Sequence, residues 1–95
     1  MVKTDKRSFR EAKLLADIFE VHGGVIAVSK KLNISKQLVS VWKTKGFVPL
    51  SRITEVATIL QVPPIALNFK GLGKLLGSPS WETVKSECLE ALRTI

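Results

Sequence analysis

Six cations and no carboxylate occupy residues 21 to 54: Lys30, Lys31, Lys36, Lys43, Lys45 and Arg52. Acids stand on either side, at Asp5, Glu11, Asp17 and Glu20 before this stretch and at Glu55, Glu82, Glu87 and Glu90 after it. A solvated face usually mixes both signs. A surface that meets phosphates does not, because each carboxylate it presents repels them. Ser35, Gln37, Ser40 and Thr44 lie among the cations, and side chains of these types can exchange hydrogen bonds with base edges. The chemistry suggested is polyanion recognition rather than bond-making. One histidine, His22, and one cysteine, Cys88, far apart in sequence, provide no nucleophile and base pair, so an enzyme is the least expected class. No metal or cofactor is expected. Gly71-Leu72-Gly73-Lys74 hints at a phosphate loop, but it lacks the Ser or Thr after the lysine and follows a helix rather than a strand, so it is taken as a linker.

The chain of 95 residues has room for one domain and little more. A hydrophobic fraction of 45% is enough for a packed core, and 15 Lys and Arg against 8 Asp and Glu leave a net charge of +7. A single cysteine excludes an internal disulfide and fits a reducing compartment. No apolar run approaches the roughly 18 residues that a membrane span needs. Lys3, Lys6 and Arg7 are followed by Arg10, Glu11, Lys13 and Asp17, which is not the pattern of a signal peptide. The expected location is the cytoplasm, without a membrane partner.

The elements that must position these side chains are helical throughout. Ser8 and Glu11 have capping-box spacing, and Phe9, Ala12, Leu15, Ala16 and Phe19 recur at helical intervals up to Gly23-Gly24. A short helix is expected over 25–32, broken at Asn33, which tolerates a left-handed turn. Ser35 caps the next helix, which runs to Lys45 and stops at Gly46. Pro49 and Ser51 introduce a fourth, with Ile53, Val56, Ala57 and Leu60 on its buried face; Val62-Pro63-Pro64 opens a short turn of helix reaching Asn68. Residues 70–80, with Gly71, Gly73, Gly77, Ser78, Pro79 and Ser80, read as a turning connection, with Ser78 and Pro79 suited to cap and begin a last helix. The expected fold is all-α: a compact bundle of about five short helices with a central helix-turn-helix, plus a C-terminal amphipathic helix. The expected division is a helix-turn-helix domain over 8–69 and a connection with the terminal helix over 70–95.

In a helix-turn-helix one helix braces a second across the groove of a duplex. Counting Val25 as the first of twenty positions, apolar residues are wanted at the fourth, eighth, tenth, fifteenth and eighteenth, where Val28, Leu32, Ile34, Val39 and Trp42 stand. The fifth must be small and is Ser29, and the ninth must turn and is Asn33. The run from Val28 to Lys43, with its Ile34-Ser35, Val39-Ser40 and Trp42-Lys43 pairs, resembles the helix-turn-helix of small phage Cro-type repressors. The resemblance covers about residues 9 to 68, and the final 27 residues lie outside it. Alanine is usual in that family where Ser29 stands, and glycine where Asn33 stands. Val25 and Ile26 replace a polar residue that often touches phosphate, a contact that falls to the backbone amides of Gly24 and Val25 or is missing.

The resemblance implies a sequence-specific regulator of transcription, most simply a repressor occupying a palindromic operator on double-stranded DNA in a bacterial host. It assigns base contacts to Ser35, Lys36, Gln37, Ser40, Val41 and Thr44. Gln37 can bond an adenine edge through two hydrogen bonds, Lys36 can donate to guanine, and Val41 can pack on a thymine methyl. Lys30, Lys43, Lys45 and Arg52 are assigned to phosphates. A homodimer is expected, and the stripe Trp81, Val84, Cys88, Leu92 and Ile95 is its candidate interface; folding back on its own domain is the equal alternative. Two other classes stay open: an antitoxin whose C-terminal segment binds a toxin, and a helical adaptor for another regulatory protein.

Overall fold

The computed structural model describes residues 6–77 and 79–95, with side chains from Arg10 onward. Its elements are α1 (Lys6–Val21), α2 (Val25–Leu32), α3 (Lys36–Lys45), a 3-10 turn (Leu50–Arg52) leading into α4 (Ile53–Leu60), α5 (Pro64–Leu67), α6 (Phe69–Leu75) and α7 (Trp81–Arg93). The described residues are all-helical, with no strand. None of these helices is long and apolar enough to cross a membrane.

Three helices end by one device, which sets the path of the chain. At the end of α2, the Ile34 amide donates to the Ser29 carbonyl (3.0 Å) and the Asn33 amide to Lys30 (3.3 Å), with Asn33 left-handed at φ 57° and ψ 46°. These two bonds are a Schellman closure, and the apolar residue beyond the turn, Ile34, folds back onto the core. Gly23 and Gly24 close α1 in the same way on Glu20 and Phe19; at the end of α4 the left-handed Gln61 and the following Val62 both donate to the Ala57 carbonyl. In each case orphan carbonyls are satisfied within two residues, so the following element starts at once and at a fixed angle.

The core is a single cluster. Leu15, Ile18 and Phe19 of α1 meet Val28 of α2, Val39 and Trp42 of α3, Val56 and Leu60 of α4, Leu67 of α5, and Val84 and Cys88 of α7. Asn68 secures its edge: Nδ2 donates to the Val48 carbonyl (3.0 Å), and Oδ1 accepts from the Gly71 amide (2.9 Å). Val48, fully buried, donates its own amide to Leu67 (2.9 Å). The segment following α3 is thereby tied to α5 and α6.

Several expectations are corrected. Helix α1 is already under way at Lys6, so Ser8 lies within it and not at its cap; the side chains of Ser8 and Phe9 fall outside the described residues. The stretch expected as a connection is helical from Phe69 to Leu75, because the Asn68 cap and the packing of Phe69 and Leu72 on the core outweigh the low helix propensity of glycine. The boundary expected after residue 69 therefore falls inside α6. Ser78 lies outside the described residues, and the cap of α7 is Ser80, whose Oγ accepts from the Thr83 amide (3.2 Å). Of the two destinations open to the C-terminal stripe, this chain's own core takes Trp81, Val84 and Cys88. These three are covered and offer no surface to a second copy. Leu92 is half-buried and Ile95 exposed. Trp81 is further held by an edge-to-face contact with Phe69 (5.2 Å) and by the Arg10 guanidinium over its ring (4.9 Å). Burial, with the charge of Asp17, pushes the Cys88 thiol up to about 11, so it stays protonated and unreactive.

His22 joins three helices. It is buried at the end of α1, with Nε2 2.8 Å from the Leu60 carbonyl of α4 and Nδ1 2.9 Å from Lys31 Nζ of α2. An ammonium only donates, so Nδ1 accepts and Nε2–H donates to Leu60: the ring is neutral. Burial holds the pKa below its ordinary 6.5; the Leu60 carbonyl opposes that shift, and the charge of Lys31 adds to it. The unfolded chain then takes up a proton at a pH where the native ring does not. The stability due to the neutral ring is complete above 6.5 and declines as pH falls toward the lower native value. The melting temperature should drop between about pH 7.5 and about pH 5.5, a range above most carboxylate titration. His22→Gln should flatten that slope; equal slopes in the two proteins would contradict the neutral bridge.

Candidate functional site

Helix α3 is fixed on its inner side and open on its outer one. Val39 is fully buried and Trp42 is 2% exposed, both against α1 and α2, while Leu38 is half-buried at the edge. Ser35 caps the helix, its Oγ accepting from the Leu38 amide (3.1 Å). Gly46 ends it in a left-handed conformation (φ 88°), with its amide on the Trp42 carbonyl (2.7 Å). A helix of only ten residues is thus held at both ends and along one side.

The structure brings Ser35, Lys36, Gln37, Ser40, Val41 and Thr44 to one exposed surface. At roughly 100° per residue, Lys36, Ser40, Thr44, Gln37 and Val41 fan across one half of the helix, opposite Val39 and Trp42. Lys43 and Lys45 fall on the two flanks of that fan, and both are exposed. Ser35 keeps a hydroxyl proton to donate, because its capping bond uses only a lone pair. Lys30 is exposed on α2. This surface can present short hydrogen-bonding groups between two cations, with a methyl-bearing Val41 at its rim.

Other residues differ from expectation. Arg52 is half-buried in the 3-10 turn with its guanidinium 3.7 Å from Glu55. The acid-free stretch stops one residue too soon to leave it unpaired, although an exposed pair of this kind is weak and exchangeable. Lys31, the cation given no role in the sequence, is the one bound to His22. At the start of α2, the Gly24 amide is spent closing α1 on Phe19 (2.8 Å), so it is not available to an anion. Ile26 beside it is 58% exposed. The expected interface residues Trp81, Val84 and Cys88 are in the core, away from this surface. The sequence reading missed Lys70 and Lys74, exposed on α6, with Lys70 lining a shallow groove beside Lys45 and Phe47. Two lysines four apart after an asparagine cap were the available signal, masked by the glycines between them.

No protein-family model, curated protein or solved structure matches the chain.

The far end of α3 is set by a close approach. A Cβ on Gly46 would lie 2.9 Å from the Ala12 Cβ and 3.1 Å from its Cα on α1. Gly46→Ala should therefore cost the left-handed penalty of about 1–2 kcal/mol plus the displacement of α3 from α1. A shift in the denaturation midpoint with unchanged m-value is the expected result. A stability equal to that of the unaltered protein would mean that α3 does not end against α1.

Proposed function

We propose that the chain is a sequence-specific, double-stranded-DNA-binding regulator of transcription, a Cro-like repressor that lays α3 in the major groove of a palindromic operator. One observation carries this reading: a braced helix presents Gln37, Ser40 and Thr44 between Lys43 and Lys45, within a stretch of 34 residues that holds no acid. Sequence readout needs short polar groups at a fixed distance from base edges. Fixing that distance needs phosphate contacts on either side and a helix that does not move in its bed. The side chains that face outward on α3 meet the first need, the two flanking lysines the second, and Val39, Trp42 and Gly46 the third. Repression, rather than activation, rests on the resemblance to the Cro-type family, because a docking geometry carries no sign.

The antitoxin reading has less support. A segment that wraps a toxin is expected to lack structure alone, whereas α7 places Trp81, Val84 and Cys88 in the core of its own chain. A helical adaptor for proteins would show no salt-dependent affinity for DNA.

Two substitutions separate the roles on α3. Gln37→Ala should cost about 1–3 kcal/mol on the preferred site and relax the preference at one base pair. Lys43→Ala should weaken binding to all duplexes alike and lower the slope of log affinity against log salt by about 1. Affinities from fluorescence anisotropy at several salt concentrations, on selected and scrambled duplexes, read both. Unchanged sequence preference in Gln37→Ala would remove α3 as the reading element.

A further inference from the structure

A second acid-free run follows the first. Residues 56 to 81 hold no carboxylate, so Glu55 is the one acid between residues 21 and 81, and it already pairs with Arg52 (3.7 Å). Two cations lie in this second run, Lys70 and Lys74, both exposed on α6. Spaced four apart, they stand one turn above the other, with about 5–6 Å between their Cβ atoms. Like charges at that spacing repel and weaken a helix, and α6 itself carries no acid to offset them.

The fold sets this pair beside the C-terminal end of α3. Lys45 and Lys70 line one groove, together with Gly46, Phe47, Asn68 and Glu11. Asn68 fixes the spacing, capping α6 through the Gly71 amide (2.9 Å) and donating to the Val48 carbonyl (3.0 Å), two residues beyond Gly46. Lys45 and Lys70 are exposed and Phe47 is 41% exposed, whereas Glu11, the carboxylate of this groove, is only 8% exposed. The cations and the ring therefore meet solvent, and the acid is withdrawn from it. A sugar–phosphate strand matches that surface, its phosphates against the ammonium groups and its deoxyribose against the ring. We propose that Lys70 and Lys74 of α6, with Lys45 and Phe47, grip the backbone of the duplex alongside the end of α3. This grip rests on the DNA-binding reading and adds to it a positioning element outside the helix-turn-helix. The start of α2 gives a phosphate little, because the Gly24 amide is spent on Phe19 (2.8 Å) and Ile26 is apolar and 58% exposed. Anchoring beyond the end of α3 then fixes how far along the groove that helix sits.

The test measures binding of the full chain to selected and scrambled duplexes, by fluorescence anisotropy at several salt concentrations. Lys70→Gln and Lys74→Gln should each weaken binding to both duplexes by the same factor and lower the slope of log affinity against log salt by about 0.9. The double variant should lower it by about 1.8, with the preference between the duplexes unchanged. Lys85→Gln removes an equal charge from a groove lined only by α1 and α7, and should leave the slope as it is. Should Lys70→Gln alter the helical circular dichroism spectrum, Lys74→Gln alone carries the test. Equal slopes in the unaltered protein and the double variant overturn the proposal. So does a Lys85→Gln slope as low as that of Lys70→Gln, since total charge alone would then be at work. Either result leaves the DNA reading standing as long as Gln37→Ala still relaxes the sequence preference. An unaltered protein with no salt-dependent affinity for any duplex would instead remove the DNA reading, and the grip with it.

Discussion

Everything outward-facing on this molecule depends on how the inner edge of α3 is seated. Val39 and Trp42 are sealed between α1 and α2, and Ile34 folds onto the same core from the turn before them. Removing an indole and a branched aliphatic side chain from water is among the larger single gains open to so small a domain. That gain fixes the rotation of α3 about its own axis. Rotation decides which residues solvent meets, so Lys36, Gln37, Ser40, Val41 and Thr44 share a surface because two of their neighbours cannot leave the core. The junction is also why the turn tolerates a left-handed asparagine: the cost at Asn33 is set against the seating of both helices it joins.

The polar parts of the structure serve the same seating. His22 answers a carbonyl at the end of α4 and receives a proton donor from α2, so three helices meet at one ring. Burial disfavours a charge on this ring and an ammonium 2.9 Å away adds to that, so neutrality is the native state. Asn68 does similar work at the opposite edge, holding the segment after α3 with one side-chain atom and the first turn of α6 with another. Neither residue touches the outer face of α3, yet both act on the elements that set its position.

Local signals were legible in the sequence wherever one residue type answers one geometric need. The ends of α2 and α3 were readable because Asn33, Ser35 and Gly46 each have a strong conformational preference, and the inner face of α3 because its apolar residues repeat at the helical period. The outward surface followed from that period. Signals failed where tertiary packing overruled local preference. Two glycines spoke for a loop at 71 and 73, but a helix forms there, since Asn68 caps it and Phe69 and Leu72 pack against the core. Periodicity also showed that α7 must bury a stripe without showing against what. Only the fold reveals that α1 and α5 receive it, leaving the adjacent edge with Leu89 in the open. His22 could not be read at all, because its partners lie 38 and 9 positions away in the chain.

The chain contains two tryptophans and no tyrosine, and the two indoles occupy different parts of the fold. Trp42 lies beneath the outward-facing helix, and Trp81 seats the last helix beside Phe69 and Arg10. The near-ultraviolet emission of the molecule is therefore a two-channel signal. One channel responds to water reaching the bed of α3, and the other to loosening of the C-terminal segment, with a cation close enough to its ring to give it a separate colour and lifetime.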